Sequence, residues 1–254
     1  MSAAGDARLV LSVAVTTNGL DVDEHLDVTQ GGAPVSVTEV VDAHGTRLHV
    51  ADVVEGDVRV SYRATIEGRA EPLEVTPLDE IVFVRPSRYA ESDSLVPTAM
   101  REFSGLSGSE LLFGVSSWVG QHLRYVPGSS LPTDGAVRTM LAGAGVCRDF
   151  AHLVVALLRA MHVPARLASV YAPGLAPMDF HAVAEAAIDG RWYVVDATAL
   201  APRSTLVRIA AGRDASDTAF LSVRGAPVTL DDLTVSAVVD ELPIDDLFSL
   251  TSLG

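Results

Sequence analysis

Residues 147–164, CRDFAHLVVALLRAMHVP, constrain the fold more than any other stretch of the chain. Phe150, Leu153, Val154, Leu157, Leu158 and Met161 recur at i, i+3 and i+4, the spacing of a helix face, and Pro164 ends the pattern. A helix this apolar belongs at the centre of a core. After it the period switches to two. ARLASVYA (165–172), HAVAEAAI (181–188) and WYVVDAT (192–198) read as strands, with DGRW as the turn between the last two. Upstream, GSELLFGVSSWVGQHLRYV places Leu111, Val115, Trp118 and Val119 at helical spacing, with Ser109 as its cap. PTDGAVRTMLAGAG reads as a short helix ended by glycine. Helices first and an antiparallel sheet second make an α+β core rather than an alternating βαβ one.

The first third reads as β structure. In RLVLSVAV, Leu9, Leu11 and Val13 alternate with Val10, Ser12 and Ala14. In DVRVSYRATI, Val58, Val60, Tyr62, Ala64 and Ile66 alternate with polar residues. GGAP, DAHG and VEGD supply turns, so a small β-sandwich-like domain is expected over residues 1–78. Residues 68–97 carry four prolines and many charges. A linker or wrapping connection is expected over 79–98, a core over 99–240, and an acidic tail with apolar spots over 241–254.

The net charge is -15 and the sequence pI about 4.7. An acidic surface argues against nucleic acid and anionic membranes as partners. No apolar stretch approaches the ~18 uncharged residues of a membrane span. The N-terminus lacks a basic segment followed by an apolar one, so a cytoplasmic location is expected. A single cysteine excludes an internal disulfide framework and multi-cysteine zinc sites. His25, His44 and His49 have no metal-ligand spacing, and neither metal nor cofactor is expected. All 18 basic residues are arginine, so the chain cannot cross-link to itself through lysine amines.

That single cysteine opens the central helix. At a helix N-terminus the dipole and the unpaired amides favour a thiolate and can hold an oxyanion. His181 opens one strand of the DGR hairpin and Asp196 closes the other, so the two can be neighbours across it. A carboxylate beside an imidazole, and the imidazole beside a thiol, is the arrangement of nucleophilic acyl transfer. Each residue also has a plainer role open to it: Cys147 as a buried apolar filler, His181 as a structural histidine, Asp196 as a turn residue.

The stretches GVCRDFAHLVVALLRAMHVPAR and DFHAVAEAAIDGRWYVVDAT resemble the transglutaminase-like superfamily of papain-like cysteine enzymes. VRPSRYAESD and LVRIAAGRDASDTAF resemble further segments of its bacterial members, and the β-rich first third resembles their N-terminal domain. The resemblance implies Cys147 as nucleophile, His181 as general base and acid, and Asp196 as the residue that orients it. It implies a peptide or protein substrate and a thioester intermediate, resolved by water in a peptidase or amidase, or by an amine in a transglutaminase. Val183 departs from the tryptophan that many eukaryotic members carry.

Around these residues, Asp179, Phe180, Arg148 and Tyr125 are candidates for contacts with substrate, Tyr125 as an oxyanion donor. Asp149 suits the helix N-terminus by charge. His152 is expected to be structural, and Arg213, Asp214 and Asp217 to form an ion-pair knot. A non-catalytic scaffold that retains the three residues and a redox-sensing thiol are the rival readings.

Overall fold

The chain folds as two units, one made of Met1–Glu71 with Ala219–Ser236, the other of Pro72–Thr218 with the residues from Ala237 onward. The computed structural model describes residues 1–253.

The first unit is a sandwich of two antiparallel sheets. One runs Val228–Thr229, Ser2–Ala3, Gly56–Glu67, Asp21–Gln30, Ala33–Pro34. The other runs Leu221–Gly225, Ala7–Leu11, Arg47–Val53, Val37–Val41. Ala3, Val28 and Val58 from the first meet Leu9, Leu11, Ala51 and Val53 from the second in one core, as the period-two pattern requires. The boundary lies at Glu71, short of the expected residue 78, and residues 219–236 return to this unit instead of extending the core to 240. The cause is a strand pairing that sequence distance hides: Leu221 faces Leu11 and Gly225 faces Ala7.

The second unit opens in the segment expected to be a linker, and there the structure corrects that reading. Helix α1 (Pro77–Val82) starts on a reciprocal cap: the Thr76 hydroxyl accepts the Asp79 N–H at 3.2 Å, and the Asp79 carboxylate accepts the Thr76 N–H at 2.9 Å. Pro77 occupies the first turn, where no N–H is needed. Helix α2 (Ser92–Phe103) tolerates Pro97 because its other face buries Leu95, Ala99 and Phe103. Helix α3 (Gly108–His122) follows Ser107 rather than being capped by Ser109. Helix α4 (Ala136–Ala142) ends on Gly143 in the left-handed region, φ +61°.

Helix α5 (Cys147–Ala160) is the expected central helix, buried from Asp149 to its end. It lies on a four-stranded antiparallel sheet in the order Arg191–Val195, His181–Ile188, Ala165–Tyr171, Val207–Gly212. Leu153, Leu157 and Leu158 share a core with Ala165, Ala184, Ala186 and Val195 of the sheet. A second core holds Ala168, Val170, Val183, Val194, Leu206 and Leu253. Leu253 belongs to the tail, which packs on its own unit. The Arg203 guanidinium holds both Asp245 oxygens, at 2.9 and 3.1 Å, and the Asp246 and Ser249 carbonyls. The Val194 N–H donates to the Thr251 carbonyl at 2.7 Å.

Candidate active site

Cys147, half-buried, is the first residue of α5. The chain reaches it through a short parallel pairing of Arg124–Tyr125 with Ala144–Gly145. Gly145 has no room for a side chain, since a Cβ there would stand 2.6 Å from the Asp149 Cβ. Asp149 is wholly buried; its carboxylate accepts the Val146 N–H at 2.8 Å and the Ser130 hydroxyl at 2.9 Å. It ties off the helix start by direct hydrogen bonds as well as by charge. The Cys147 and Arg148 amides head the first turn, where no intrahelical acceptor reaches them.

His181 and Asp196 come from the hairpin. Asp189 and Gly190 both take positive φ, +49° and +77°, the two-residue turn for which Asp-Gly is suited. Ala184 pairs with Val195, so counting outward the residue facing His181 is Thr198. Asp196 is therefore a diagonal neighbour of His181, not the direct one. The two side chains still meet, Nε2 to Oδ2 at 3.4 Å. Asp196 is held in turn by the Thr198 N–H at 2.8 Å and hydroxyl at 2.7 Å, both on Oδ1, while the Ser116 hydroxyl of α3 donates to its carbonyl at 3.1 Å. Gly120 of α3 lets the next peptide come close: a Cβ there would lie 2.9 Å from the Ala197 carbonyl oxygen.

Burial works against a charge on His181, but the Asp196 hydrogen bond, the Cys147 side chain and the charges of both outweigh it. The imidazolium is pushed up to about 10. Burial likewise opposes the Asp196 carboxylate, and the hydrogen bonds from His181 and Thr198 hold it below its ordinary range. With Nε2 engaged by Asp196, the buried Nδ1 is the nitrogen left for Cys147 and has no other hydrogen-bond partner.

The structure brings Tyr125 to the thiol as well, with the Asp179 charge near enough to act on its phenol. Burial first, then the charge of Cys147, push the Tyr125 phenol up to about 12; a hydrogen bond from the Cys147 backbone opposes this and the Asp179 charge adds to it. Asp179 is exposed, and one oxygen accepts the Phe180 N–H at 2.7 Å. Phe180 is half-buried, its ring 5.6 Å from that of Tyr171. Arg148 turns to the neighbouring loop instead, donating to the Ser130 hydroxyl at 2.9 Å and the Leu131 carbonyl at 3.2 Å.

His152 lies elsewhere: its Nε2 accepts the Ala215 N–H at 3.1 Å, its ring stacks on Tyr89, and burial pushes it down to about 3, so it is a neutral structural group. Arg213 and Asp217 pair at 2.8 Å, but Asp214 does not complete a three-charge knot. It accepts the Tyr89 and Ser216 N–H groups and the Ser216 hydroxyl. Among the described residues no three His, Cys, Asp or Glu side chains are placed to hold a metal ion, and no helix is long and apolar enough to cross a membrane. Sequence reasoning passed over Ser116, Gly120 and Thr198. Only Thr198 has a local signal, the Asp-Ala-Thr of an Asx turn.

Residues 105–197 match the transglutaminase-like superfamily. A candidate cysteine protease from Cytophaga hutchinsonii is 33% identical, over 94% of this chain and 90% of its own, with a TM-score of 0.80. The periplasmic domain of TgpA from Pseudomonas aeruginosa gives 15% identity over 78% of this chain and 88% of its own, with a TM-score of 0.43. No curated protein matches the chain. Shared sequence and backbone over nine-tenths of the Cytophaga protein, together with the match across Cys147, His181 and Asp196, place this chain in the transglutaminase-like superfamily.

Proposed function

We propose that the protein cleaves amide bonds of peptide or protein substrates through a thioester on Cys147. The observation that carries this reading is a buried His181, bonded to Asp196 on one side and acting on Cys147 on the other, at the start of a buried helix. Cys147, as a thiolate paired with the His181 imidazolium, attacks the carbonyl carbon. The oxyanion forms beside the amides at the head of α5. The C–N bond then breaks, His181 hands its proton to the departing amine, and the acyl group stays on sulfur. Water, deprotonated by His181, attacks the thioester, releases the acid and restores the thiol. Asp196 keeps the imidazole in the orientation that both transfers need.

Intact-mass analysis with a peptide library, with and without an added primary amine, tests this. A Cys147-linked acyl adduct that decays to free acid is expected. An amine-capped product would make the protein a transamidase, and no adduct at all, with Cys147 alkylated no faster than free cysteine, would remove the acyl-transfer reading.

Gly120 offers a test of positioning. Gly120→Ala favours α3 by about 1 kcal/mol in helix propensity, yet its methyl group would press on the Ala197 carbonyl beside Asp196. Acylation is expected to slow by about a hundredfold, with no matching loss in the thermal unfolding midpoint. A Gly120→Ala variant that acylates at the parent rate would show that the close approach is not needed.

A further inference from the structure

The acyl-transfer reading leaves the oxyanion with one class of donor, the main-chain amides at the head of α5. We propose that the Tyr125 hydroxyl is the second donor, converging with the Cys147 N–H on the oxygen of the tetrahedral intermediate.

The placement is fixed from three sides. The Arg124 N–H donates to the Gly143 carbonyl at 3.0 Å and the Val126 N–H to the Gly145 carbonyl at 2.9 Å. These two bonds pin Tyr125 directly beside Gly145, two residues ahead of the nucleophile. The ring then lies against Phe150, with centroids 6.0 Å apart, so it covers the first turn of α5 instead of following its own loop into solvent. At its far end the oxygen is close to the Cys147 amide and side chain and within the field of Asp179, two residues before His181. The phenol therefore stands where the helix start meets the approach to the histidine strand, which is where a substrate carbonyl has to sit.

The other polar groups near the helix start are already committed. Ser130 donates to Asp149, and the Arg148 guanidinium serves Ser130 and Leu131. Tyr125 keeps 41% of its surface open. With its ionisation pushed up to about 12, it remains a neutral O–H donor across the working pH range. The Cys147 N–H and the Tyr125 phenol lie side by side at the head of α5. When a carbonyl enters, both N–H and O–H can turn to the new oxyanion without any proton leaving Tyr125.

The inference rests on the acyl-transfer reading, and two reactions of the same thiol separate the two. p-Nitrophenyl acetate acylates Cys147 through an oxyanion; iodoacetamide alkylates it by displacement, with none. In Tyr125→Phe, acylation is expected to fall about 10²–10³-fold, while alkylation keeps the parent rate. An equal fall in both reactions would make Tyr125 a support for the thiol or the fold rather than an oxyanion donor. Unchanged acylation would remove it from the mechanism. A parent protein that alkylates quickly but is never acylated would overturn the acyl-transfer reading itself, and this inference with it.

Discussion

An Asp196→Asn variant is expected to lose about 10⁴-fold in kcat, by analogy with the loss of the orienting carboxylate in serine protease triads. The amide keeps the shape but not the charge, and it can present an N–H to His181 Nε2 where an acceptor is needed. What remains around the ring is burial, which disfavours the imidazolium. In the parent, Asp196 and Cys147 raise His181 to about 10, so the alkaline limb of the activity profile is expected as pH rises through that value. In Asp196→Asn that limb should move below the ordinary histidine range, near 6.5. Stability shifts in the same sense. A raised imidazolium stabilises the parent fully below about pH 6.5, and that contribution disappears as pH climbs through the folded value. The variant should lack this alkaline loss. A full pH profile with the same limb in both proteins would mean that Asp196 does not set the charge of His181.

The second large effect lies inside the sheet. Glu185 is wholly buried between two arginines: the Arg166 Nε donates to it at 2.8 Å, and the Arg208 guanidinium grips its other oxygen. Arg166 also lies 4.1 Å over the Trp192 ring. Burial opposes the carboxylate charge, but Arg166 and Arg208 hold it below its usual range. Glu185→Gln would leave two guanidinium charges facing each other without a counter-ion. The expected loss is about 3–5 kcal/mol of unfolding free energy, read from the urea midpoint at constant m-value. Replacing all three residues together, Arg166→Met with Glu185→Leu and Arg208→Met, should cost far less or even stabilise the fold by about 1–4 kcal/mol. A Glu185→Gln loss under about 1 kcal/mol would show that water or rearrangement reaches the cluster. The carboxylate is depressed, so its contribution is present above about pH 4.3 and is lost as pH falls through the folded value. The parent, and not the triple variant, should show this acid sensitivity.

The parts of the molecule that were legible in the sequence are those with local periodicity. Residues 147–161 could only be a buried helix, and the strands after them alternate around an Asp-Gly turn whose two positive φ angles few other pairs would accept. Those elements fix Cys147, His181 and Asp196 within reach of one another. The register was finer than pattern could show: the diagonal offset of Asp196 depends on the Ala184–Val195 pairing, which nothing local announces.

What stayed hidden was nonlocal or looked like its opposite. Prolines and charges around 77–97 read as a connection, yet Pro77 sits in a first turn and Pro97 survives in a helix anchored by Leu95, Ala99 and Phe103. Arg159 is buried, and its guanidinium binds the carbonyls of Arg85, Ala165 and Arg213, none of which sequence pattern announces. Arg166, Glu185 and Arg208 are ordinary charged residues until the sheet places them together. Long side chains of this kind are misread by any rule that sends charge to solvent, because their partners lie on other strands.

The strand Leu221–Gly225 has a consequence for how the chain is made. It leaves one unit to complete the other, and the residues from Ala237 then come back to seal the first. On the ribosome, the sandwich cannot complete its second sheet until residues 221–225 have emerged, and the smaller core that takes in Leu253 closes later still. A cut at Glu71 would also not liberate an intact sandwich: it would strip a neighbour from Ala7–Leu11 and turn a central strand into a sticky edge. The two units interleave along the chain.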